Sequence, residues 1–305
     1  MNYTISQLKI FLKVVEFGSI TKAADDLNLT QPAVSIQLKN FQKDFKFPLT
    51  EIINKKLYVT DFGREIASAC ENILNELEII NYKSLGYNNN YTGKLKISIV
   101  STGKYIMPYF LSEFLNAHPD VDLLMDVTNK TKVVSSLEKN EIDFALVSIL
   151  PDNLNVAELE LMENQLYLVG NKEVAKEIMN NKKSIDSKPF IYREQGSGTR
   201  QMMEKFIGKN KFHTKKKIEL TSNEAVKQAV IAGIGISIMP IIGIKSEIAS
   251  GKLKIIETKG LPIITKWRLV WLKEKKMSPI AQHYIEYLKK EKNRINKISF
   301  SIPHV

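Results

Sequence analysis

The chain has 305 residues, an apolar fraction of 44% and a net charge of +11 at pH 7, which is enough for two or three domains with cores of their own. The opening residues MNYTISQLKIF lack the cationic start and apolar run of a signal peptide, and no segment has enough consecutive apolar residues to span a bilayer. The single cysteine, Cys70, excludes an internal disulfide, and we expect a cytoplasmic protein.

Basic residues are unevenly spread along the chain. Residues 1–92 carry equal numbers of acidic and basic side chains, whereas the excess of Lys and Arg lies in residues 166–305. A nucleic-acid-binding surface in the first part would therefore depend on individual lysines that contact phosphates locally. We interpret the later lysines as solvated surface. A second interpretation is that they create a positive field that attracts an anionic ligand.

The stretch from Gly18 to Lys43 predicts two helices joined by a tight turn. It follows an amphipathic helix predicted over 5–17, which we expect to be its scaffold. The first helix of the pair, over 21–27, has small residues where a second helix can pack closely. After a break at 28–29, Thr30 has the chemistry of an N-cap, and Pro32 falls in the first turn, where proline loses no backbone hydrogen bond.

The second helix of the pair has one apolar stripe and polar residues on its other faces. Val34, Leu38 and Phe41 recur at i, i+4 and i+7. An α-helix fits the major groove of DNA, where Gln31 can bond adenine bidentately and Lys39 can reach a phosphate. The alternative is a solvated amphipathic helix in an ordinary helical bundle. The candidate DNA-binding residues are Ser19, Thr21, Thr30, Gln31, Pro32, Ser35, Gln37, Lys39, Lys43, Lys55 and Lys56.

A short β-hairpin is predicted over 49–60. Asn54, Lys55 and Lys56 form its tip, and Leu57 and Val59 alternate inward. We expect this hairpin to be a wing whose lysines contact the DNA backbone or the minor groove.

The sequence QLKIFLKVVEFGSITKAADDLNLTQPAVSIQLKNFQ, together with VTDFG after the hairpin, resembles the LysR-type transcriptional regulators. The N-terminal motif is highly specific, and the resemblance extends to about Lys289. It implies an N-terminal winged helix-turn-helix, a linker helix, and a C-terminal two-lobed α/β effector domain of the periplasmic-binding-protein-like, type 2 architecture. The chain departs from the family at Thr50 and Ile52, where Phe and Arg are usual, so a familiar arginine contact near the wing is missing.

A long linker helix is predicted over 61–86. Its apolar residues recur at steps of four and three, a spacing that suits a coiled coil. In the family this helix is the dimer interface, so the resemblance implies a homodimer and, further, a homotetramer. The alternative is packing against the chain's own domain, and Cys70 is interpreted as a small packing residue rather than a redox sensor. The candidate dimerisation residues are Ile66, Cys70, Ile73, Leu77 and Ile80.

A polar, turn-rich segment at 87–92 predicts a hinge, beyond which strands and helices alternate. Repeated βα units predict a parallel sheet with helices on both sides. The predicted domains are the winged helix-turn-helix at 1–60, lobe I of the effector domain at 93–165 and 268–292, lobe II at 166–267, and a basic, poorly patterned tail at 293–305.

In parallel α/β sheets, ligands bind at the carboxyl ends of strands, beside helix N-termini. Three segments in such places carry suitable residues, and in the last of them Arg200 offers a fork for a carboxylate or phosphate. That segment resembles the GSGTR segment of the family, including the regulators of carbon fixation. The alternative is a turn and helix cap that bind no ligand. The candidate effector-binding residues are Ser101, Thr102, Gly103, Thr128, Asn129, Ser148, Gln195, Gly196, Ser197, Gly198, Thr199, Arg200 and Gly235.

The sequence contains no pattern typical of catalysis. The four histidines are scattered without metal-ligand spacing, and no serine has the context of a nucleophile elbow. The glycine-rich stretch 231–240 lacks the third glycine of a dinucleotide fingerprint. It is interpreted as tight helix-to-strand packing, with Gly233 and Gly235 near the floor of the cleft. We expect no enzymatic activity, no metal and no cofactor.

These observations predict a sequence-specific, DNA-binding transcription regulator, an activator or a repressor, that is modulated by a small anionic effector bound between the two lobes. The expected partners are a two-fold double-stranded DNA site, the effector, further copies of the chain and RNA polymerase, and not a membrane. One alternative is an intracellular two-lobed small-molecule binding protein with only weak or nonspecific DNA binding. Another is a nucleoid-type nonspecific DNA binder, which would not need the second half of the chain.

Overall fold

A computed structural model describes residues 3–54, 56–85, 91–212 and 216–300. The chain divides into two compact units, Met1–Asn90 with Lys276–Pro279, and Tyr91–Lys275 with Ile280–Val305. Among the described residues, every helix is too short or too polar to cross a membrane.

The first unit is a three-helix bundle followed by a hairpin and a long helix. Each bundle helix begins at a side-chain cap: Thr4, Ser19 and Thr30 accept from backbone N–H groups in the first turn of their helices, which satisfies donors that the helix itself leaves free. The elements are α1 (Ile5–Phe17), α2 (Ile20–Asp26), α3 (Gln31–Gln42), β1 (Thr50–Ile53), β2 (Lys56–Val59) and α4 (Asp61–Leu85). The predicted helices and wing hairpin are present, and β1 pairs with β2 antiparallel.

The core of this unit contains the apolar stripes of all three bundle helices. Phe11, Val14, Val34 and Phe41 are buried, and the ring centroids of Phe11 and Phe41 lie 5.2 Å apart. These large rings pack against each other and fix the position of α3 relative to α1. The face of α3 opposite Val34 and Phe41 is therefore presented in one orientation.

The linker helix α4 divides the predicted dimerisation residues into two groups. Cys70 is buried in the core of its own unit and Ile66 packs against that core, as the alternative of packing on the chain's own domain requires. Leu77 is half-buried, whereas Ile73 and Ile80 are 47% and 61% exposed. Only the later part of the predicted stripe is thus free to pair with a second copy.

The second unit alternates strands and helices. Its strands are β3 (Gly93–Val100), β4 (Val121–Thr128), β5 (Phe144–Val147), β6 (Val156–Gly170), β7 (Phe190–Arg193), β8 (Lys217–Leu220), β9 (Ser237–Pro240), β10 (Lys254–Ile255) and β11 (Ile263–Leu272). Its helices are α5 (Met107–Ala117), α6 (Lys130–Glu138), α7 (Lys172–Asn180), α8 (Gly198–Asn210), α9 (Asn223–Ile231), α10 (Lys245–Ala249) and α11 (Pro279–Ser299).

One seven-stranded sheet runs through this unit, in the order β10-β6-β11-β5-β3-β4, with β9 also paired to β6. Strand β3 pairs parallel with β4 and with β5, as the βα pattern predicts. The long strands β6 and β11 pair antiparallel, over residues 156–166 of β6 and the whole length of β11. The C-terminal part of β6 pairs with β9 and β10, whereas the C-terminal part of β11 pairs with β5. These two strands therefore belong to both lobes.

Lobe II adds a short parallel pair, β7 with β8, beside α8 and α9. Gly235 lies against Pro189, the residue before β7, and a Cβ atom there would come within 2.3 Å of the carbonyl oxygen of Pro189. The stretch 231–240 is thus a close helix-to-strand connection. Gly235 contacts the backbone beside Pro189 rather than a cleft floor.

The predicted C-terminal tail is wrong over most of its length. Helix α11 continues to Ser299, and Ile295 and Phe300 are buried against lobe I. Its apolar residues are too widely spaced among lysines for the sequence pattern alone to have indicated a buried face. Residues 301–305 and most of the predicted hinge, 87–90, lie outside the described residues. The domain boundaries inside the effector unit stay a prediction.

Candidate functional sites

The outward face of α3 forms the first site. Val34, Leu38 and Phe41 are buried, and the residues offset from them by two positions lie half a turn away, on the opposite side of the helix. These outward residues are Pro32, Ile36, Lys39, Asn40 and Lys43, and all are exposed. Gln31 is exposed at the first turn, whereas Ser35 and Gln37 are half-buried on the flanks.

Several predicted DNA-binding residues have structural roles as well. The hydroxyl of Ser19 accepts from the backbone N–H of Lys22 at 3.3 Å, and that of Thr30 accepts from the N–H of Ala33 at 3.4 Å. Thr21 is exposed on α2. Sequence reasoning missed Ile36, which a projection of the face opposite the apolar stripe would have revealed.

The wing presents a mixed surface. Lys56 is exposed on β2, and Lys55 lies outside the described residues. Ile52, at a position where the family usually has Arg, is exposed and pairs with Leu57 in the hairpin register. The basic residues of the predicted wing are therefore confined to its tip, at Lys55 and Lys56.

The second site is a pocket between the two lobes of the effector unit. It gathers Ser101 and Thr102 after β3, Asn129 at the start of α6, Ser148 after β5, and the segment 197–199 at the start of α8. Asn129 caps α6 and Ser197 caps α8, so two helix N-termini meet there. Each N-terminus carries a partial positive charge and unpaired N–H groups, which favours an anion.

Arg193, at the end of β7, is a buried cation of this pocket and was not predicted. It is 5% exposed, and one of its terminal nitrogens donates to Ser101 Oγ at 3.0 Å. The guanidinium also binds the carboxylate of Glu194 through two nitrogens, at 2.8 and 2.9 Å, and the side-chain oxygen of Asn223. Asn223 in turn donates to Ser101. Buried donors with this many partners hold a fixed geometry.

Arg200 does not have the free fork that its place in the sequence suggested. It binds Glu204 at 2.8 Å and Glu219 at 2.6 Å, and it donates to the carbonyl oxygen of Arg193 at 3.0 Å. Of the two arginines, Arg193 lines the inner pocket and Arg200 lines only the wider cleft described below, and the effector contact predicted for Arg200 stays a prediction. Arg193 ends β7 and Arg200 lies in the first turn of α8, so the sequence alone does not show which of them faces the inner pocket.

The two lobes touch beside the pocket. The backbone N–H of Thr131, on α6, donates to the carbonyl oxygen of Gly196 at 3.4 Å. Gly196 has a φ of +83°, and a Cβ atom there would lie 2.5 Å from Thr131 Oγ1. The inner pocket has about 10 Å³ of space for the centre of a water-sized sphere, which is room for roughly one water molecule.

A wider cleft of about 600 Å³ opens outward from this contact, between α6 and α8. Gln195, Gly196 and Arg200 are among its lining residues, together with Lys130, which also lines the inner pocket. Burial lowers the pKa of the Lys130 ammonium, and the charge of Asp152 opposes this effect. The predicted residues Gly103, Thr128 and Gly235 line neither space in the part of the chain that the structure describes.

Comparison with protein families assigns both units. Residues 5–64 match the model "Bacterial regulatory helix-turn-helix protein, lysR family", and residues 88–293 match the model "LysR substrate binding domain". The chain belongs to the LysR family of transcriptional regulators. It is a DNA-binding regulator with an effector-binding domain, not an enzyme.

Curated relatives of this regulator match over nearly the whole chain. The RuBisCO operon transcriptional regulator of Acidithiobacillus ferrooxidans is 36% identical over 93% of this chain and 93% of its own length. The HTH-type transcriptional activator CmpR of Synechocystis sp. is 32% identical over 94% of this chain and 95% of its own length. The predicted similarity to the regulators of carbon fixation is confirmed.

The effector domain of this regulator also matches a solved structure. The CcmR regulatory domain of Synechocystis, in complex with 2-PG, is 29% identical with a TM-score of 0.60. The match covers 65% of this chain and 96% of that one. The two-lobed architecture expected from the sequence is thus confirmed for the LysR regulator described here.

Proposed function

We propose that a small anion is the effector of this regulator and that it binds in the inner pocket between the lobes. The observation that carries this proposal is the buried guanidinium of Arg193, joined to Ser101 of the other lobe at 3.0 Å. Around it lie the N-termini of α6 and α8 and the hydroxyls of Thr102, Ser148 and Thr199. A phosphate or carboxylate group needs such converging donors in a partly dehydrated place. The 2-PG bound to the related CcmR domain is a small anion.

The carboxylate of Glu194 occupies the place of an anion in the present arrangement. It pairs with two nitrogens of Arg193 while the pocket has room for roughly one water molecule. An anionic effector therefore enters by displacing Glu194 or by parting the lobes. A ligand that binds one lobe spacing better than another shifts the population toward that spacing. This shift is the proposed signal to the DNA-binding unit.

The proposed assembly is a homodimer through α4, with a dimer of dimers as the complete regulator. The exposed Ile73 and Ile80 lie seven residues apart on α4, about two turns, which is the repeat of a coiled-coil seam. Two α3 helices in successive major grooves would read a two-fold site. The regulator would act in the cytoplasm, where it meets DNA and RNA polymerase.

The test of the effector is a titration of the full chain with 2-PG, inorganic phosphate or uncharged glycerol at constant ionic strength. The readouts are the thermal unfolding temperature and the affinity for a DNA site obtained by selection from random duplex DNA. We expect an anion to raise the unfolding temperature and change DNA affinity, and Thr199→Val with Ser148→Ala to remove both effects. Arg200→Gln is the matched control, since Arg200 is held by Glu204 and Glu219. Equal responses from all variants, or a response lost only with Arg200→Gln, would exclude the inner pocket.

The test of the assembly is light scattering of the full chain and of Ile73→Glu with Ile80→Glu. We expect the double variant to lose the dimer and to bind DNA weakly, while Ile5→Glu on α1 remains dimeric. An unchanged mass would exclude α4 as the interface.

The alternative is a two-lobed small-molecule binding protein with only weak DNA binding. Selection of bound fragments from random duplex DNA at physiological salt distinguishes it from the regulator. An enriched two-fold site supports the regulator. Binding that vanishes as salt rises, with no enrichment, supports the alternative, because nonspecific binding depends on released counterions.

A further inference from the structure

The outward face of α3 contains one large apolar side chain at its centre. Ile36 is 58% exposed, with Pro32 one turn before it and Lys39 one turn after it. Its neighbours on this face, Asn40 and Lys43, are polar and exposed. Ile36 therefore points away from the core of its unit, and a bound partner could bury it.

Ile36 is not needed to complete the core of its unit. The inner stripe of α3 is filled by Val34, Leu38 and Phe41, which are at most 3% exposed. Ile36 is also absent from the apolar residues that pack against this core in the part of the unit that the structure describes. An exposed isoleucine is common on a protein surface, but this one lies on the face that a DNA-binding helix presents to the groove.

The major groove offers an apolar side chain one specific partner. Each base pair presents hydrogen-bond donors and acceptors there, and thymine alone adds a methyl group, at C5. Gln31 on the first turn can bond adenine, and Lys39 can bind a phosphate on either side of the same groove. Ile36, between them along the helix, has no hydrogen-bonding atom, so its contact with a base edge is a contact with this methyl group.

We propose that Ile36 packs against the C5-methyl group of a thymine and is a specificity-determining residue of this regulator. The proposal rests on the DNA-binding function of the family and on α3 being the helix that enters the major groove. It assigns thymine to one position of each half-site, where the wrong base leaves a polar edge against the isoleucine.

The size of the effect follows from the contact. Burying one methyl group contributes about 0.8 kcal/mol, or roughly a fourfold change in affinity. Deoxyuridine differs from thymidine only by the absence of this methyl group and keeps every hydrogen-bonding atom. Replacing one thymine by uracil therefore removes the proposed contact and leaves direct hydrogen-bond readout intact.

The experiment uses the full chain and the duplex obtained by selection from random DNA. Each thymine of a half-site is replaced by uracil in turn, and affinity is measured for the native protein, Ile36→Ala and the control Ile5→Ala, an exposed isoleucine of α1 in the same unit. We expect the native protein and the control to lose about fourfold at one thymine, and Ile36→Ala to bind thymine and uracil there equally. Thermal unfolding confirms that all three proteins are folded.

Two results would overturn the proposal. One is a native protein that is indifferent to every replacement of thymine by uracil. The other is an Ile36→Ala variant that keeps the same penalty as the native protein. Gln31→Ala and Lys39→Ala separate this failure from a failure of the groove-binding assignment itself. If both of these variants bind DNA normally, α3 is not the helix in the groove.

Discussion

Arg193 and Ser101 join the two lobes of the effector unit: the guanidinium at the end of β7 donates to the hydroxyl that follows β3, at 3.0 Å. Glu194 and Asn223 complete the set of partners around the same guanidinium. The contact connects the pocket to the spacing of the lobes, since an anion that draws Arg193 away leaves Ser101 held only by its longer hydrogen bond from Asn223.

Replacing Arg193 by Met should destabilise the effector unit. The variant leaves Glu194 and Asn223 without their partner in a pocket that water hardly enters, and breaking a buried ion pair from one side costs about 3–5 kcal/mol. Ser101→Ala removes the hydrogen bonds that Arg193 and Asn223 donate to the hydroxyl and should cost about 2 kcal/mol. Urea unfolding followed by tryptophan fluorescence measures both, because Trp267 and Trp271 are the two tryptophans of the chain and both lie on β11. A loss no greater for Arg193→Met than for Ser101→Ala would contradict the prediction.

Replacing Gly196 by Ala should weaken the contact between the lobes. The residue has a φ of +83°, and its new Cβ would meet Thr131 Oγ1 at 2.5 Å. Backbone strain of this kind costs about 1–3 kcal/mol, and Thr131→Ala in the same chain should recover only the part due to the collision. Gly208→Ala is the matched control: it lies within α8 with no atom within 4 Å of the added Cβ, and it should stabilise by up to about 1 kcal/mol. Unfolding temperatures check the three variants, and an unaffected Gly196→Ala would show that the lobes do not meet there.

The thiol of Cys70 should be unreactive in the folded protein. Burial raises its pKa to about 11, with a smaller contribution from the charge of Glu71, and the thiolate is the reactive form. At pH 8 a thiol reagent such as DTNB should label the native chain far more slowly than the chain in 6 M urea. Rapid labelling of the native protein would favour a redox role over a packing role.

His283 should make the effector unit less stable in mild acid. Burial, and then the nearby His118, lower the pKa of His283 below its ordinary value of 6.5, against a smaller opposing effect of Glu286. Tyr91 stacks on its ring at 3.6 Å, and its Nε2 lies 3.1 Å from that of His118. Below pH 6.5 the unfolded chain therefore binds a proton that the folded chain resists.

The stability that depends on His283 is complete above pH 6.5. It declines as the pH falls from there through the lowered pKa, and it is constant at still lower pH. Urea unfolding at pH 7.5 and 5.5 should show this decline in the native protein and a smaller one in His283→Gln. The neighbouring exposed Gln282→Ala should keep the native decline. Equal declines in all three proteins would remove His283 from the explanation.

Local patterns were sufficient for the DNA-binding unit. The spacing of Leu8, Phe11 and Val15 predicted α1 to its terminal residues, and Thr30 and Pro32 placed the start of α3 correctly. The helix caps and apolar stripes that define these elements are short-range features, so one sequence reveals them. The same reasoning predicted the parallel strands after the linker.

The parts that sequence reasoning missed depend on distant contacts. Strand β6 extends over 15 residues, but its N-terminal half contains acidic side chains, so only the apolar residues 166–169 suggested a strand. Arg193 and Arg200 look equivalent in the sequence, and their roles differ because Glu204 and Glu219 engage one while Ser101 and Asn223 engage the other. Ile36 has an apolar side chain on the solvent face, where pattern reasoning looks for polar groups.

The paired strands β6 and β11 have a mechanical consequence. Both strands pass from one lobe into the other and stay paired with each other. The lobes are therefore joined by a paired ribbon and not by single flexible segments. Opening the cleft must instead change the twist of this two-stranded ribbon, and such ribbons already have a native right-handed twist. The register shift between Trp267 and Arg268 is the place where extra twist is easiest to accommodate. A change in the spacing of the two lobes is therefore also a change in the twist of this ribbon.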